Sequence, residues 1–195
     1  MSLNGEGSLY LHAFSFEPEC YPLTLFKNHK ISDFCILDAD ASLIVCQSES
    51  KKCLEIVDLM TGETLYTVKN AGDRVLSDPE RNGFMTFGAK SGLVVRHNPD
   101  LTVAWQKQVS KEDITACCWA GHKLRSLVLG FSDGLVKVYR VGEDENEWEP
   151  QQTLEAFVSV QGRKGAVTAL KVHPETGAIY GASSQGNVKL LLLEV

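Results

Sequence analysis

A stretch with three short apolar runs and two turn signals, ITACCWAGHKLRSLVLGFSDGLVKVYRV, constrains the fold more than any other part of the chain. The runs are too short for helices and are rich in β-branched and aromatic residues. The second turn contains the pair Asp133-Gly134, which suits a tight hairpin because glycine accepts a positive φ. Residues 114–141 therefore predict a three-stranded antiparallel meander.

The meander recurs along the chain, as FGAKSGLVVRH, LGFSDGLVKVY and YGASSQGNVKLL. Aligning the glycines Gly88, Gly130 and Gly181 gives intervals of 42 and 51 residues, and the longer interval contains an acidic insertion at 142–150. A single small sheet cannot bury its own apolar face, so repeated sheets stack on one another. A period of about 40 to 45 residues with three or four strands is typical of a β-propeller blade.

The composition narrows the class of protein. With 195 residues and 44% hydrophobic content, the chain can bury a sizeable core. No run approaches the roughly 18 apolar residues of a membrane span, and the first residues lack the pattern of a signal peptide. We therefore expect an intracellular protein, cytoplasmic or nuclear, that does not contact membranes.

The charges and the reactive side chains favour a protein without cofactor or metal. The net charge is −6, most of it from the insertion at 142–150, so the chain lacks the basic excess that nucleic-acid binding needs. The six cysteines form no CxxC pair and mostly lie in apolar runs, where cysteine acts as a small hydrophobe. The five histidines are scattered without a metal-ligand spacing.

The whole chain is predicted to form a single domain of blades. A half blade at 8–26 precedes four blades at about 27–68, 69–109, 110–157 and 158–195, the last without its outer strand. The innermost strands should be buried at Ile31, Phe34, Ile36, Ile114, Cys117, Val167, Leu170 and Val172.

The last copy, GAVTALKVHPETGAIYGASSQGNVKLLLLEV, resembles the WD repeat, in which a turn, a small-residue strand and a closing Trp-Asp follow one another. The Trp-Asp positions read Val57-Asp58, His97-Asn98, Tyr139-Arg140 and Leu191-Leu192. The resemblance implies an all-β propeller of about four to five four-stranded antiparallel blades. Because most residues of the family's hydrogen-bonded network are replaced, apolar packing should hold the blades together.

The ends of the chain leave two alternatives open. The strand predicted at 21–26 could complete the last blade and close a ring of about four blades. Alternatively, the propeller is open or partial, and each end exposes an unpaired strand edge that a partner or a second copy covers. The strand predicted at 8–14 favours the open form, because a four-blade ring leaves it no blade to join.

In such a propeller the loops alternate between two faces, and basic residues collect on one of them. We interpret this face as a protein-binding site for an acidic or phosphorylated segment, although solvated turns are commonly charged without any function. The candidate residues are Lys30, Lys51, Lys52, Arg74, Lys90, Lys111, Arg163 and Lys164, with Trp148 as a possible exposed anchor. The alternative for Trp148 is packing against its own blade.

Three functions are compatible with this interpretation. The resemblance implies a non-enzymatic scaffold or adaptor that mediates protein–protein interactions in a multiprotein complex. The alternative is a partial propeller, a fragment or isoform, completed by a partner chain. An enzyme would need polar groups on the innermost strands, where only Asp33 and Lys171 stand out, and we do not expect one.

Overall fold

The computed structural model describes part of the chain, and for residues 2–3, 9–11, 23–26 and 42–47 it describes the backbone alone. The described residues are 2–3, 9–11, 23–26, 31–37, 42–47, 53–58, 61, 63–69, 71–78, 83–88, 90–120, 126–141, 148, 150–158, 164–173 and 175–191. These residues contain strands and turns only, so this part of the protein has no helix of the length and apolarity that crossing a membrane requires.

The described residues form antiparallel sheets of three or four strands, in which strands consecutive in the chain lie side by side. The first sheet comprises β1 (Ser2–Leu3), β2 (Leu9–Leu11) and β3 (Leu23–Phe26). The second comprises β4 (Ile31–Leu37), β5 (Ser42–Gln47), β6 (Cys53–Asp58) and β7 (Thr64–Val68). The third comprises β8 (Arg74–Asp78), β9 (Gly83–Phe87), β10 (Leu93–His97) and β11 (Val103–Gln108).

Two further sheets follow in the second half of the chain. The fourth comprises β12 (Ile114–Ala120), β13 (Ser126–Phe131), β14 (Val136–Arg140) and β15 (Pro150–Leu154). The fifth comprises β16 (Val167–Val172), β17 (Ile179–Ser183) and β18 (Val188–Leu191). The prediction of an all-β chain of repeated antiparallel sheets is confirmed, whereas the single propeller domain and its closure stay predictions.

The chain divides into two compact units, one of residues 1–89 with 97–102 and the other of residues 90–96 with 103–195. In the first unit, a cluster of buried residues from the second and third sheets includes Leu54, Ile56 and Phe84. The carboxylate of Asp33 accepts hydrogen bonds from the backbone amides of Phe34 and Val75, both at 3.0 Å. Asp33 therefore ties β4 to β8, which is a structural role.

The prediction of eight buried residues on the innermost strands is met in part, because Ile36 is exposed and Phe34, Cys117 and Val172 are only half-buried. Ile36 is 46% exposed, although it lies on the innermost strand β4 between two apolar neighbours. Alternation along a strand puts successive side chains on opposite faces, and Ile36 lies on the face opposite to that of the buried Leu37. Phe34 is only half-buried, on the same face as Ile36.

In the second unit, the strands of the fourth sheet pair with one another in the same register as those of the fifth sheet. A bulge separates Ile114 from Ala116 in β12, and the same irregularity separates Val167 from Ala169 in β16. The two sheets pack through a buried apolar cluster, whose members from the fifth sheet are Val167, Leu170, Ile179 and Leu191.

The register corrects the alignment of the repeat glycines. Gly130 lies opposite Ala116, whereas the residue opposite the matching Ala169 is Ala182. Gly181 is therefore one position away from the place of Gly130. The turns after β13 and β17 have equal length. In the first, the amide of Phe131 donates a hydrogen bond to the carbonyl of Leu135, and in the second, the amide of Ser183 donates to the carbonyl of Asn187. The connection between the first and second strands is instead one residue shorter in the fifth sheet than in the fourth, because Ala169 pairs with Ala182 and Ala116 pairs with Gly130.

Candidate functional site

In the second unit, hydrogen bonds link two kinds of loop. One is the turn between the second and third strands of a sheet, and the other is the loop that enters the innermost strand of a sheet. Together they form what we call the turn rim, made of residues 90–92, 109–113, 131–134, 156–158, 164–166 and 183–187. The backbone bonds repeat from sheet to sheet. The amide of Val109 donates to the carbonyl of Gly92 at 2.9 Å, and the amide of Phe157 donates to the carbonyl of Gly134 at 3.0 Å.

Side chains reinforce these backbone links. The hydroxyl of Ser91 donates to the carboxylate of Asp113 at 2.6 Å, which joins the β9–β10 turn to the loop before β12. The hydroxyl of Ser132 donates to the carboxylate of Glu112 at 3.2 Å. The amide of Ser132 donates to the carbonyl of Asp113 at 2.9 Å. The turn rim is thus a surface of hydrogen-bonded loops from three successive sheets.

Two glycines allow the turns to approach the neighbouring loops. Gly134 has φ +83°, and a Cβ there would lie 2.9 Å from the carbonyl oxygen of Phe157 and 3.0 Å from that of Gly165. Gly92 has φ +62°, and its Cβ would collide with the carbonyl of Ser110. A side chain at either position would be strained and would push the loop away.

The structure brings three of the predicted basic residues to the turn rim. Lys90, Lys111 and Lys164 all lie on it with exposed side chains. The rim is not uniformly basic, because acidic residues alternate with these lysines. The rim acids are bonded within it, since Asp113 and Glu112 accept serine hydroxyls and Asp133 accepts the amide of Leu135 at 3.2 Å.

The remaining candidates do not join this group in the described structure. Arg74 belongs to the first unit and is half-buried, and its positive charge works to lower the pKa of Asp33. Burial raises the pKa of the Asp33 carboxyl, and the hydrogen bond from the amide of Val75 and the charge of Arg74 oppose that rise. The other four candidates, Lys30, Lys51, Lys52 and Arg163, lie outside the described residues.

Trp148 is packed inside the second unit. It is 3% exposed, and its ring meets that of Trp105 edge-on at a centroid distance of 4.6 Å and an angle of 72°. The ring of Tyr139 lies 6.0 Å away on β14. Of the two alternatives for Trp148, the structure therefore shows packing, and the side chain is not an exposed anchor.

A polar pair in the third sheet was missed by sequence reasoning. His97, at one of the predicted Trp-Asp positions, has its Nε2 atom 3.0 Å from the hydroxyl oxygen of Thr86. Its ring stacks on that of Phe84 at 4.7 Å. Burial lowers the pKa of His97. In this sheet a hydrogen bond thus supplements apolar packing.

Burial keeps two thiols of the innermost strands protonated. Burial raises the pKa of the Cys118 thiol to about 12, with a smaller opposing effect from Lys171. Burial, with the nearby charge of Asp33, also raises the pKa of Cys35. A thiol protonated at neutral pH is a poor nucleophile and a poor metal ligand. The residues that the structure describes contain no group of three or more His, Cys, Asp or Glu placed to hold a metal ion.

Sequence reasoning identified the lysines of the rim but missed the residues that hold the rim together. Ser91, Ser132 and their acidic partners are ordinary turn residues, and their pairing depends on which loops the stacked sheets bring together. The recurrence of a serine in each turn was the available signal. A comparison of the chain with models of protein families and with curated proteins finds no match.

Proposed function

We propose that this protein is a non-enzymatic scaffold or adaptor, a β-propeller of WD-repeat type that binds other proteins through its turn rim. The observation that carries the proposal is the rim itself, a surface of hydrogen-bonded turns from successive sheets that holds Lys90, Lys111 and Lys164 exposed. A rigid surface loses little conformational entropy when it binds a partner, which favours a recognition role.

The chemistry of the rim supports an acidic or phosphorylated segment as the partner. The carboxylates of Glu112 and Asp113 are engaged with serine hydroxyls, whereas the lysine side chains reach into solvent. Exposed charges on adjoining turns speed association with an oppositely charged partner and set its orientation. The neutral thiols of Cys35 and Cys118 support a role without covalent catalysis.

The test compares two charge-reversed variants of the full chain. Lys90→Glu with Lys111→Glu changes the rim, and Lys107→Glu with Arg140→Glu makes the same change in net charge on the strands β11 and β14, outside these loops. Tagged proteins are used to capture partners from cells, and the captured proteins are quantified. We expect the rim variant to lose partners that the control retains, and the remaining binding to depend less on salt.

Equal capture by the two variants would remove the turn rim from the proposal. Turnover of a small substrate by the purified protein would instead point to an enzyme.

A second candidate function is a partial propeller that a partner chain completes. A specific observation favours it, because the fifth sheet has three strands within the described residues and exposes Val188 and Leu190. Fusion of the chain to a completing partner should raise its unfolding temperature.

A further inference from the structure

The third strands of the fourth and fifth sheets occupy matching positions with opposite exposure. Val136 lies opposite Gly130 in the fourth sheet, as Val188 lies opposite Ala182 in the fifth. Val136 is 0% exposed, whereas Val188 is 72% exposed. One pair further along, Val138 is 4% exposed, and its counterpart Leu190 is 52% exposed.

The contrast extends across the whole face of the fifth sheet. In the fourth sheet this face is covered by residues of the next sheet, such as Val167 and Leu170. Its counterpart on the fifth sheet is exposed in all three strands, at Ala169, Lys171, Tyr180, Val188 and Leu190. Exposed apolar side chains in one patch mark an interaction surface more often than chance placement does.

The edge of the fifth sheet lies beside this patch. The fourth sheet continues beyond β14 to β15, where Leu154 lies opposite Val136 and Thr153 lies opposite Lys137. The second sheet continues in the same way, with Val68 opposite Leu54. Among the residues that the structure describes, β18 is the edge strand of the fifth sheet. An edge strand presents backbone donors and acceptors that an added antiparallel strand can pair.

The charged residues of the fifth sheet indicate which charged residues an added strand should contain. Its three strands contain Lys171 and Lys189 and no acidic residue. Lys189 lies over the ring of Phe157, with its Nζ atom 5.6 Å from the centroid. Its counterpart Lys137 lies over Phe131 in the same way, at 5.1 Å. An acidic residue directly opposite a lysine on a neighbouring strand stabilises the pairing.

We propose that β18 binds an extended segment of a partner protein, which adds antiparallel as a fourth strand with an apolar residue opposite Val188 and an acidic residue opposite Lys189. The inference rests on the second candidate function, completion by a partner chain. The fourth sheet supplies the register, because Leu154 and Thr153 show which positions face Val136 and Lys137.

A second copy of this chain fits the edge less well. Symmetric antiparallel pairing of two β18 strands, each reading VKLL, would place the two copies of Lys189 at diagonal positions across the new pair. The edge therefore favours a partner with acidic residues.

The probe is the chain's own outer strand. A synthetic peptide of residues 150–156, PQQTLEA, already matches a third strand of this type, and its Thr153 would lie opposite Lys189. Two further peptides carry Thr153→Glu and Thr153→Lys. Each is titrated to millimolar concentration into the isotope-labelled full chain, and the amide signals of β18 are followed by NMR.

We expect the Glu peptide to bind tightest and the Lys peptide weakest, by about 3-fold or more, since one cross-strand pair of charges contributes about 0.2 to 1 kcal/mol. In the Lys189→Glu protein the order should reverse. Val188→Asp should remove binding, whereas Val103→Asp, at another exposed valine on β11, should leave it unchanged. Both valines are exposed, so both variants should fold.

Three results would overturn the proposal. These are silent β18 amides at millimolar peptide, a peptide order that Lys189→Glu leaves unaltered, and a dimer of the chain that only Val188→Asp dissociates. The dimer would show that a second copy covers the edge. If β18 is silent but partner capture still depends on the turn rim, the strand addition fails and the adaptor function stands.

Discussion

The fourth and fifth sheets have nearly the same backbone and very different surroundings. They share their register and their bulge, and each places a lysine of its third strand over a phenylalanine ring. Yet Val136 and Val138 are buried, while Val188 and Leu190 are exposed. The burial of a residue in these sheets is therefore set by the next sheet and not by its own strand.

The comparison also explains why a sheet of this type needs a neighbour. Each sheet has two faces, and in the fourth sheet both contribute buried residues, such as Leu129 on one face and Val128 on the other. In the fifth sheet the counterpart of Val128 is Tyr180, which is exposed. A partner that covers this face would repeat the packing seen between the fourth and fifth sheets.

The largest expected effect comes from placing a charge at matched positions of the two sheets. Val138→Asp would bury a carboxylate without a cationic partner and should lower the free energy of unfolding by about 3 to 5 kcal/mol. Leu190→Asp makes the same kind of change at an exposed position and should alter it by less than about 0.5 kcal/mol. Urea unfolding curves of the two variants give both values.

Similar losses for the two aspartate variants would mean that the exposed face of the fifth sheet is covered in solution. A concentration-dependent curve for the wild type would then identify a second copy as the cover.

A smaller effect is expected where the two sheets touch. A Cβ at Gly130 would lie 2.5 Å from Cγ1 of Val167, so Gly130→Ala should destabilise the protein by about 1 to 3 kcal/mol through overpacking. Adding Val167→Ala should recover part of the loss, and a double-mutant cycle from thermal unfolding measures the coupling. The matching position in the fifth sheet, Ala182, already carries a Cβ.

If Gly130→Ala were neutral, or if its effect simply added to that of Val167→Ala, the contact between these two residues would not be rigid.

The smallest expected effect is a pH dependence of the free energy of unfolding. The pKa of His97 is below its ordinary value of about 6.5, so the unfolded chain binds a proton more readily than the folded one. The contribution of His97 to the free energy of unfolding is complete above a pH of about 6.5. It declines as the pH falls through that value, by at most about 1.4 kcal/mol per pH unit. Denaturant unfolding at several pH values should show this decline in the wild type.

The matched variant His97→Gln should lose that part of the pH dependence. The difference between the wild type and Leu190→Asp should stay constant over the same range, because His97 lies in neither of the two compared sheets. An unchanged slope in His97→Gln would assign the decline to another group.

Much of the secondary structure was predictable from the sequence, because it depends on local patterns. The three-stranded meander predicted at residues 114–141 is observed as β12, β13 and β14, since apolar alternation and turn residues act over a few positions. The N-terminal region was predicted as two strands, and the structure adds β1 before them. A strand of two residues leaves no periodic signal in a sequence.

The candidate site was predictable only in part. Lys90, Lys111 and Lys164 could be assigned to one set of turns, because the order of strands and turns in a repeat determines at which end each turn lies. The bonds of Asp113 and Glu112 to serines of neighbouring turns could not be assigned, because they join residues of different repeats. The pairing of His97 with Thr86 joins two neighbouring strands of the third sheet, and it depends on how their side chains meet on one face.

The sequence by itself determined the all-β class, the repeat of antiparallel strands and the three-stranded meander at 114–141, because alternation and turn chemistry are local properties of the chain. The tertiary structure alone decided that Trp148 packs on Trp105, that Ile36 is exposed, and that Ala182 takes the place of Gly130. Burial and register depend on which surface covers a strand and on which backbone groups pair with it. Equal apolar patterns in β14 and β18 therefore ended in opposite environments.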